Sequence, residues 1–355
     1  MGLLLGTAAD ALLGDPRRGH PVAAFGTAAA ALERRWYADT RGAGVAHTAL
    51  LVGAAAALGA LLERTARRPA ARAAVTAAAA FAVLGGGSLA REGTALAAEL
   101  GRGDLAAARR RLPNLCGRDP ASLDAAGMAR AGTESLAENT SDAVVAPLLW
   151  GAVAGVPGLM AYRAVNTLDA MVGYRSPRYR RFGWAAARLD DLANHVPARL
   201  AALLTAGAAP VVGGSPRAAL RAWRRDAAAH PSPNAGPVEA AAAGALGVAL
   251  GGRTVYGHGV EERPRLGAGP PPSPADLLRA ARLSRVVGLA AALVAAGIAS
   301  YAGQAGGSSP ASARRRAARS GRRARRPPLR WSLSSRMNQT SAKSAIAPNV
   351  SHCSA

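Results

Sequence analysis

Glu134, Glu138 and Asp142 recur every four residues within 133–142. On a helix that spacing places three carboxylates on one face, where like charges oppose helix formation. Either the stripe is solvated, or a metal ion, a cationic substrate or facing arginines offset the repulsion. Its position directly before an apolar run argues against simple solvation. Arg163, Asn166 and Asp169 follow at intervals of three and also share a helical face. In 188–194, Arg188 precedes the adjacent carboxylates Asp190 and Asp191, with Asn194 three residues on. Paired carboxylates with an amide can hold Mg²⁺ through oxygen ligands and leave positions for phosphate; helix caps and surface ion pairs use the same residues.

The fourth group is a loop, HPSPNAG at 230–236, followed by Glu239. Pro231 and Pro233 fix the backbone and Gly236 permits a tight turn, so the loop presents His230 and Asn234 rigidly. A last group, EERP at 261–264, sets Glu261 and Glu262 beside Arg263.

Five long uncharged stretches must position these groups: 42–62, 73–90, 143–162, 200–216 and 286–313. Several approach the roughly 20 residues that a membrane helix requires. Half the 355 residues are hydrophobic but only 4% are aromatic. Ala and Gly supply much of the apolar content, which suits close helix packing better than a sheet core. Alternating strand-like runs are absent, so the expected fold class is all-α: a polytopic membrane protein with polar motif loops. A shorter apolar run at 2–14 is broken by Asp10 and lacks the basic leader of a signal peptide.

The loop 63–72 carries Arg64, Arg67, Arg68 and Arg72 against Glu63, which reads as cytoplasmic. If 143–162 and 200–216 each crossed the membrane, the Glu134 and His230 motifs would then lie outside. Pro147, Gly155, Pro157 and Gly158 disfavour an unbroken helix in 143–162. Both segments are therefore expected to be re-entrant or partly buried in protein, with the motifs facing the cytoplasm.

The net charge is +23, and 301–355 hold eleven Lys/Arg with no Asp or Glu. That Arg-rich tail has too little apolar surface to offset its ordering entropy and is expected to be disordered. The division is a membrane-embedded domain over 1–304 and a tail over 305–355, with no nucleic-acid partner expected. Lys343, in the tail, is the only lysine. A phosphate-binding loop of the Gly-Lys type is thereby excluded, and a Schiff-base lysine enzyme is disfavoured. Cys116 and Cys353 allow no Cys-based zinc site.

ESLAENTSDAVVAP, YRAVNTLDAMVGY, FGWAAARLDDLANHVPARL, HPSPNAG, LLGDP with His20-Pro21, and the stretch ending in EERP together resemble the cobinamide-phosphate synthase family (CbiB/CobD type) of cobalamin biosynthesis. The resemblance spans about 3–300. It departs at Pro237-Val238, where the family usually has an aromatic residue and then proline, so the loop's floor differs. The resemblance implies a multi-pass protein of the cell membrane. It implies ATP-dependent amide formation between adenosylcobyric acid and (R)-1-amino-2-propanol or its O-phosphate, a carbon–nitrogen ligase reaction. The implied partners are the corrinoid, the amine, the bilayer and other corrinoid-pathway enzymes; ATP and Mg²⁺ are implied by the reaction. On that reading Asp142, Asp190 and Asp191 are candidate metal ligands. Glu134, Glu138 and His230 are candidate catalytic groups, with no choice of general base among them. Asn139, Arg163, Asn166, Asp169, Arg188, Asn234, Glu262 and Arg263 are candidates for holding substrate. The competing readings are a Mg²⁺-dependent intramembrane transferase acting on a lipid diphosphate and a non-enzymatic membrane carrier.

Overall fold

The computed structural model describes residues 1–16, 19–256 and 259–307. Contacts gather Met1–Gln304 into one compact unit. The second unit, Ala305–Ala355, lies outside the described residues beyond Gly307, and the disordered-tail expectation lies there with it. The described residues are almost entirely helical. Five helical stretches are long and apolar enough to cross a membrane: Arg41–Thr65, Pro69–Gly101, Ala125–Val172, Trp184–Val212 and Pro274–Ala302. This is a multi-pass membrane architecture.

Helix α1 (Gly2–Leu13) runs alongside α4 (Pro69–Val83) in the same direction, and small residues on the facing sides let the two approach closely. A Cβ on Gly2 or Gly6 would strike the α4 backbone at 2.7 Å. Asp10 Oδ2 then accepts from Gly87 N at 2.9 Å and caps the start of α5 (Gly86–Gly101) from a different helix. Helix α2 (Pro21–Trp36) is capped by His20, whose Nδ1 accepts from Val22 N. Helix α3 (Arg41–Thr65) is a long apolar helix with no internal proline.

The stretch Ala125–Val172 is the key to the architecture. As one straight helix its 48 residues would extend about 72 Å, more than twice the ~30 Å hydrocarbon core. It is broken twice. A π-turn at Ser141–Val145 separates α7 (Ala125–Thr140) from α8 (Ala146–Val172). At Gly155, φ 65° and ψ −153° reverse the chain. A Cβ on Gly158 would lie 2.3 Å from the Trp150 carbonyl oxygen, and one on Gly151 would meet Leu159. Residues eight apart in an unbroken helix are about 12 Å apart along the axis. Gly155 is therefore the tip of a helical hairpin, and Tyr162 lies opposite Asp142 across it. The chain thus folds back on itself within 143–162, where the Pro and Gly residues led a break to be expected.

Helix α10 (Trp184–Ala208) lies across the bundle instead of along it. Near its start Asp190 meets Asn166 of α8. Just past its end, the Val212 carbonyl accepts from Arg279 Nε at 2.9 Å, one turn into α13 (Pro274–Gly307). Helix α13 runs parallel to α7: Leu277 packs on Gly132, Ser284 bonds Thr140 at 2.6 Å, and Val144 lies by Gly288. Both ends of α10 thus stay at the end of the bundle where α7 and α13 begin. The motif-bearing elements share that end: α9 (Tyr179–Phe182), α11 (Pro216–Asp226), α12 (Ala235–Leu246) and the loop between the last two. The short α6 (Leu105–Arg111) lies there as well.

One element departs from the sequence expectation. Leu250–Tyr256 (β1) and Gly259–Leu266 (β2) pair antiparallel, with a register shift between Leu250 and Gly252. Gly251 and Gly252, both at φ 82°, and Pro264 break the alternation that would have revealed strands. The hairpin is fastened to α7. Arg130 donates to the carbonyls of Gly251 (2.5 Å) and Arg253 (2.7 Å), and Gly251 N donates to Glu134 Oε1 at 2.6 Å.

Candidate active site

The two arms of the Gly155 hairpin bring the first two motifs face to face. Glu134, Glu138 and Asp142 descend one arm; Arg163, Asn166 and Asp169 ascend the other. Helix α10 closes the third side. Asn194 Nδ2 donates to Asp190 Oδ2 at 3.0 Å, and Asn166 Nδ2 reaches Asp190 Oδ1 at 3.5 Å. Tyr162 Oη donates to Asn194 Oδ1 at 2.7 Å and joins both arms to α10. Asp142 lies within electrostatic reach of Asp190, Glu138, Asp169 and Arg163. Asp169 is within reach of Asp190 and Asp191 as well.

A second cluster lies toward the start of α7. Glu134 is buried at 2% exposure and bonds the Arg118 guanidinium, itself 6% exposed. Glu239, 1% exposed, faces Glu134, Glu138, Arg263 and Arg118. Burial pushes its carboxyl well above the usual range, the neighbouring glutamates add to that, and the two arginines oppose it. His230 Nε2 stands 3.8 Å from Glu239 Oε1. Burial lowers the imidazole below its ordinary value of 6.5, which favours the neutral ring at neutral pH, and its Nδ1 accepts from Ser232 N at 3.1 Å.

Glu138 belongs to both clusters. It interacts with Arg263, Arg118 and Glu134 on one side and with Asp142, Asp169 and Asp190 on the other. Its side chain is nonetheless exposed. An accessible carboxylate walled by charged groups from four elements lies in a concavity, which is the form a substrate site takes.

The remaining candidates divide. Asn234 is buried and fixed, donating to the Asp191 carbonyl at 2.8 Å and accepting from Arg199 at 3.2 Å. Asn139 points back along its own helix to Ser135. Arg188 is exposed, 3.8 Å from Asp191. Glu262 is exposed on the face of β2 opposite Arg263, because successive strand residues alternate; it stands outside the cluster that Arg263 joins. Sequence reasoning missed Arg118 and Tyr162, and left Glu239 and Asn194 unassigned. Arg118 carries no spacing signal, since its role depends on a loop packing beside α7.

Among the described residues no three His, Cys, Asp or Glu side chains converge on one metal point. Mg²⁺ seldom needs such a cage: it takes one or two carboxylates, retains waters and completes its shell on phosphate. The oxygen-rich set of Asp142, Asp190 and Asp191 fits that donor chemistry.

A family model described as CobD/Cbib protein matches residues 3–284. A Mycobacterium tuberculosis (strain CDC 1551) protein named Cobalamin biosynthesis protein CobD is 61% identical over 297 residues, covering 83% of this chain and 94% of its own length. Proteins of the same name from Geobacter metallireducens and Chromobacterium violaceum are 48% and 46% identical over 264 and 280 residues. They cover 73% and 77% of this chain, and 83% and 88% of their own lengths. No solved structure matches the chain.

Proposed function

The chain belongs to the CobD/Cbib family, and from that premise we propose that it is a cobalamin-biosynthesis enzyme of the cell membrane that joins adenosylcobyric acid to (R)-1-amino-2-propanol or its O-phosphate. An amide does not form spontaneously from a carboxylate and an amine in water, so the reaction consumes ATP. The substrate carboxylate oxygen attacks the γ-phosphorus, ADP leaves, and an acyl phosphate results. The amine then attacks the acyl carbon, phosphate leaves, and the amine's proton passes to a base.

The observation that supports this reading is the position of Glu138, accessible to substrate and shared by an Arg-containing cluster and a carboxylate–amide cluster. Arg118 and Arg263 supply positive charge for an anionic substrate group. His230, buried beside Glu239, would take the amine proton on this reading, directly or through one of the neighbouring glutamates. Asp142, Asp190 and Asp191 would hold Mg²⁺, which would draw together and neutralise phosphate oxygens. Tyr162, Asn194 and Asn166 keep the Asp190 carboxylate in one orientation.

Corrinoids extracted from a strain lacking its own synthase, with and without this protein, test the reading by mass spectrometry. Cobinamide or its phosphate should appear only with the protein. Accumulation of unreacted cobyric acid with correctly inserted protein would refute it.

A further inference from the structure

The reaction proposed above needs a nucleoside triphosphate, yet the chain has no Gly-Lys phosphate loop. One cavity of about 480 Å³ stands directly outside the HPSPNAG loop. Its wall includes Arg199, Trp223, Arg224, His230, Pro233 and Pro237. That volume lies within the range of small-ligand sites, roughly 300–1,000 Å³.

Its chemistry is specific. Two arginines line it and none of its lining residues is acidic. Arg199 is held in place by three neutral oxygens: the His195 carbonyl at 2.7 Å, Asn234 Oδ1 at 3.2 Å and the Pro233 carbonyl at 3.3 Å. Those bonds orient the guanidinium without cancelling its charge. Arg224 is exposed on α11, whereas the adjacent Arg225 is occupied by Asp226 at 2.6 and 2.8 Å. Trp223 packs against the core and also forms part of the cavity wall, offering an aromatic surface. Fixed positive charge beside an aromatic plane is what a base with a polyphosphate requires. His230 belongs to both places: it helps wall the cavity, and its Nε2 lies 3.8 Å from Glu239 of the carboxylate cluster.

We propose that this cavity is the nucleoside-triphosphate site, with the base against Trp223 and the phosphates on Arg199 and Arg224. The proposal rests on the amide-forming reading, since that reaction is what consumes the nucleotide. It places the γ-phosphoryl donor beside His230, at the boundary with the carboxylate cluster, where the substrate carboxylate must reach it for in-line attack.

The test uses the full chain in nanodiscs of neutral phosphatidylcholine, photolabelled with 8-azido-ATP and mapped by peptide mass spectrometry. Label should fall within 223–237 and be displaced by ATP. Arg224→Ala and Trp223→Leu should each raise the KM for ATP roughly tenfold, the loss of one charged or stacking contact, and leave the KM for the corrinoid unchanged. Arg224→Lys should restore most of the loss. Label mapping elsewhere, with the Arg224 and Trp223 variants unaffected, would overturn the site while leaving the amide-forming reading intact. No labelling together with no cobinamide synthesis would overturn both. Displacement of label by anionic-lipid nanodiscs but not by ATP would show that the arginines serve lipid headgroups and would overturn the nucleotide assignment.

Discussion

The Tyr162 hydroxyl donates to Asn194 Oδ1 at 2.7 Å and lies 3.1 Å from the Asp142 carbonyl oxygen. One phenol therefore ties both arms of the Gly155 hairpin to α10, and through Asn194 it orients the Asp190 carboxylate. Tyr162→Phe removes only the hydroxyl. A hydrogen bond of this kind is worth about 1 kcal/mol net, so kcat for cobinamide formation should fall roughly three- to tenfold with normal membrane insertion. Steady-state kinetics of the variant at wild-type turnover would show that the bond does not position the site.

Glu138, Asp169 and Asp191 come from three helices and meet at one concavity. Replacing each singly with Ala should abolish cobinamide formation while inserted protein stays at its normal level. Corrinoid mass spectrometry with immunoblotting of membranes checks both halves. Full activity in all three variants would refute a shared site.

The reversal at Gly155 depends on backbone that other residues avoid. Its φ of 65° with ψ of −153° is almost exclusive to glycine, and side chains there cost about 1–3 kcal/mol. A Cβ would also lie 2.8 Å from the Glu63 carboxylate. Gly158→Val should be worse, because its Cβ would lie 2.3 Å from the Trp150 carbonyl, a backbone atom that cannot turn aside. Gly155→Ala should lower the thermal midpoint in detergent by several degrees, and Gly158→Val should leave little folded protein by size-exclusion chromatography.

How much of this was legible in the sequence depended on whether the signal was local. The apolar runs, the four-residue carboxylate stripe and the DDxxN group are periodic, and they mark real helices and a real cluster. The Pro and Gly residues of 143–162 signalled a break, though only the contact of Gly158 with Trp150 shows a full reversal. The β1–β2 hairpin was invisible because its glycines interrupt alternation. Arg118, in the connection before α7, could not be paired with Glu134 from a separation of 16 residues that matches no regular period, and Glu262 was grouped with Arg263 although neighbouring strand residues point apart.

Glu239 gives a pH signature. Burial raises its carboxyl, so the folded protein holds a proton there that the unfolded chain releases. That contribution to stability is complete below the ordinary carboxylate range and is lost as pH rises through the raised value. Glu239→Gln keeps the neutral form at every pH. Its thermal midpoint should exceed that of the wild type at pH 8, and the gap should narrow toward pH 5. An equal gap at both pH values would mean that Glu239 is ionised in the fold.

Orientation in the membrane follows from counting arginines at the two ends of the bundle. The loop 63–72 carries four, which on its own reads as cytoplasmic. The structure places that loop beside the hairpin tip, since Glu63 touches Gly155. The opposite end carries Arg175, Arg178, Arg180 and Arg181 in one short connection, Arg109, Arg110 and Arg111 at the end of α6, and the four arginines of α11. The motif end is therefore expected to face the cytoplasm, which would put 63–72 outside, contrary to the reading of that loop alone. Because 143–162 turns back at Gly155 and α10 lies crosswise, no motif is stranded on the far side. In a background lacking Cys116 and Cys353, single cysteines at Ala121, Ser176 and Ala228 should be protected from an impermeant thiol reagent in intact cells and labelled in inverted membranes. A cysteine at Ala70 should show the opposite pattern. Ala121 and Ala228 are exposed, so protection would report sidedness and not burial. Labelling of Ala121 and Ala228 from outside, with Ala70 protected, would reverse the orientation and separate the site from cytoplasmic ATP.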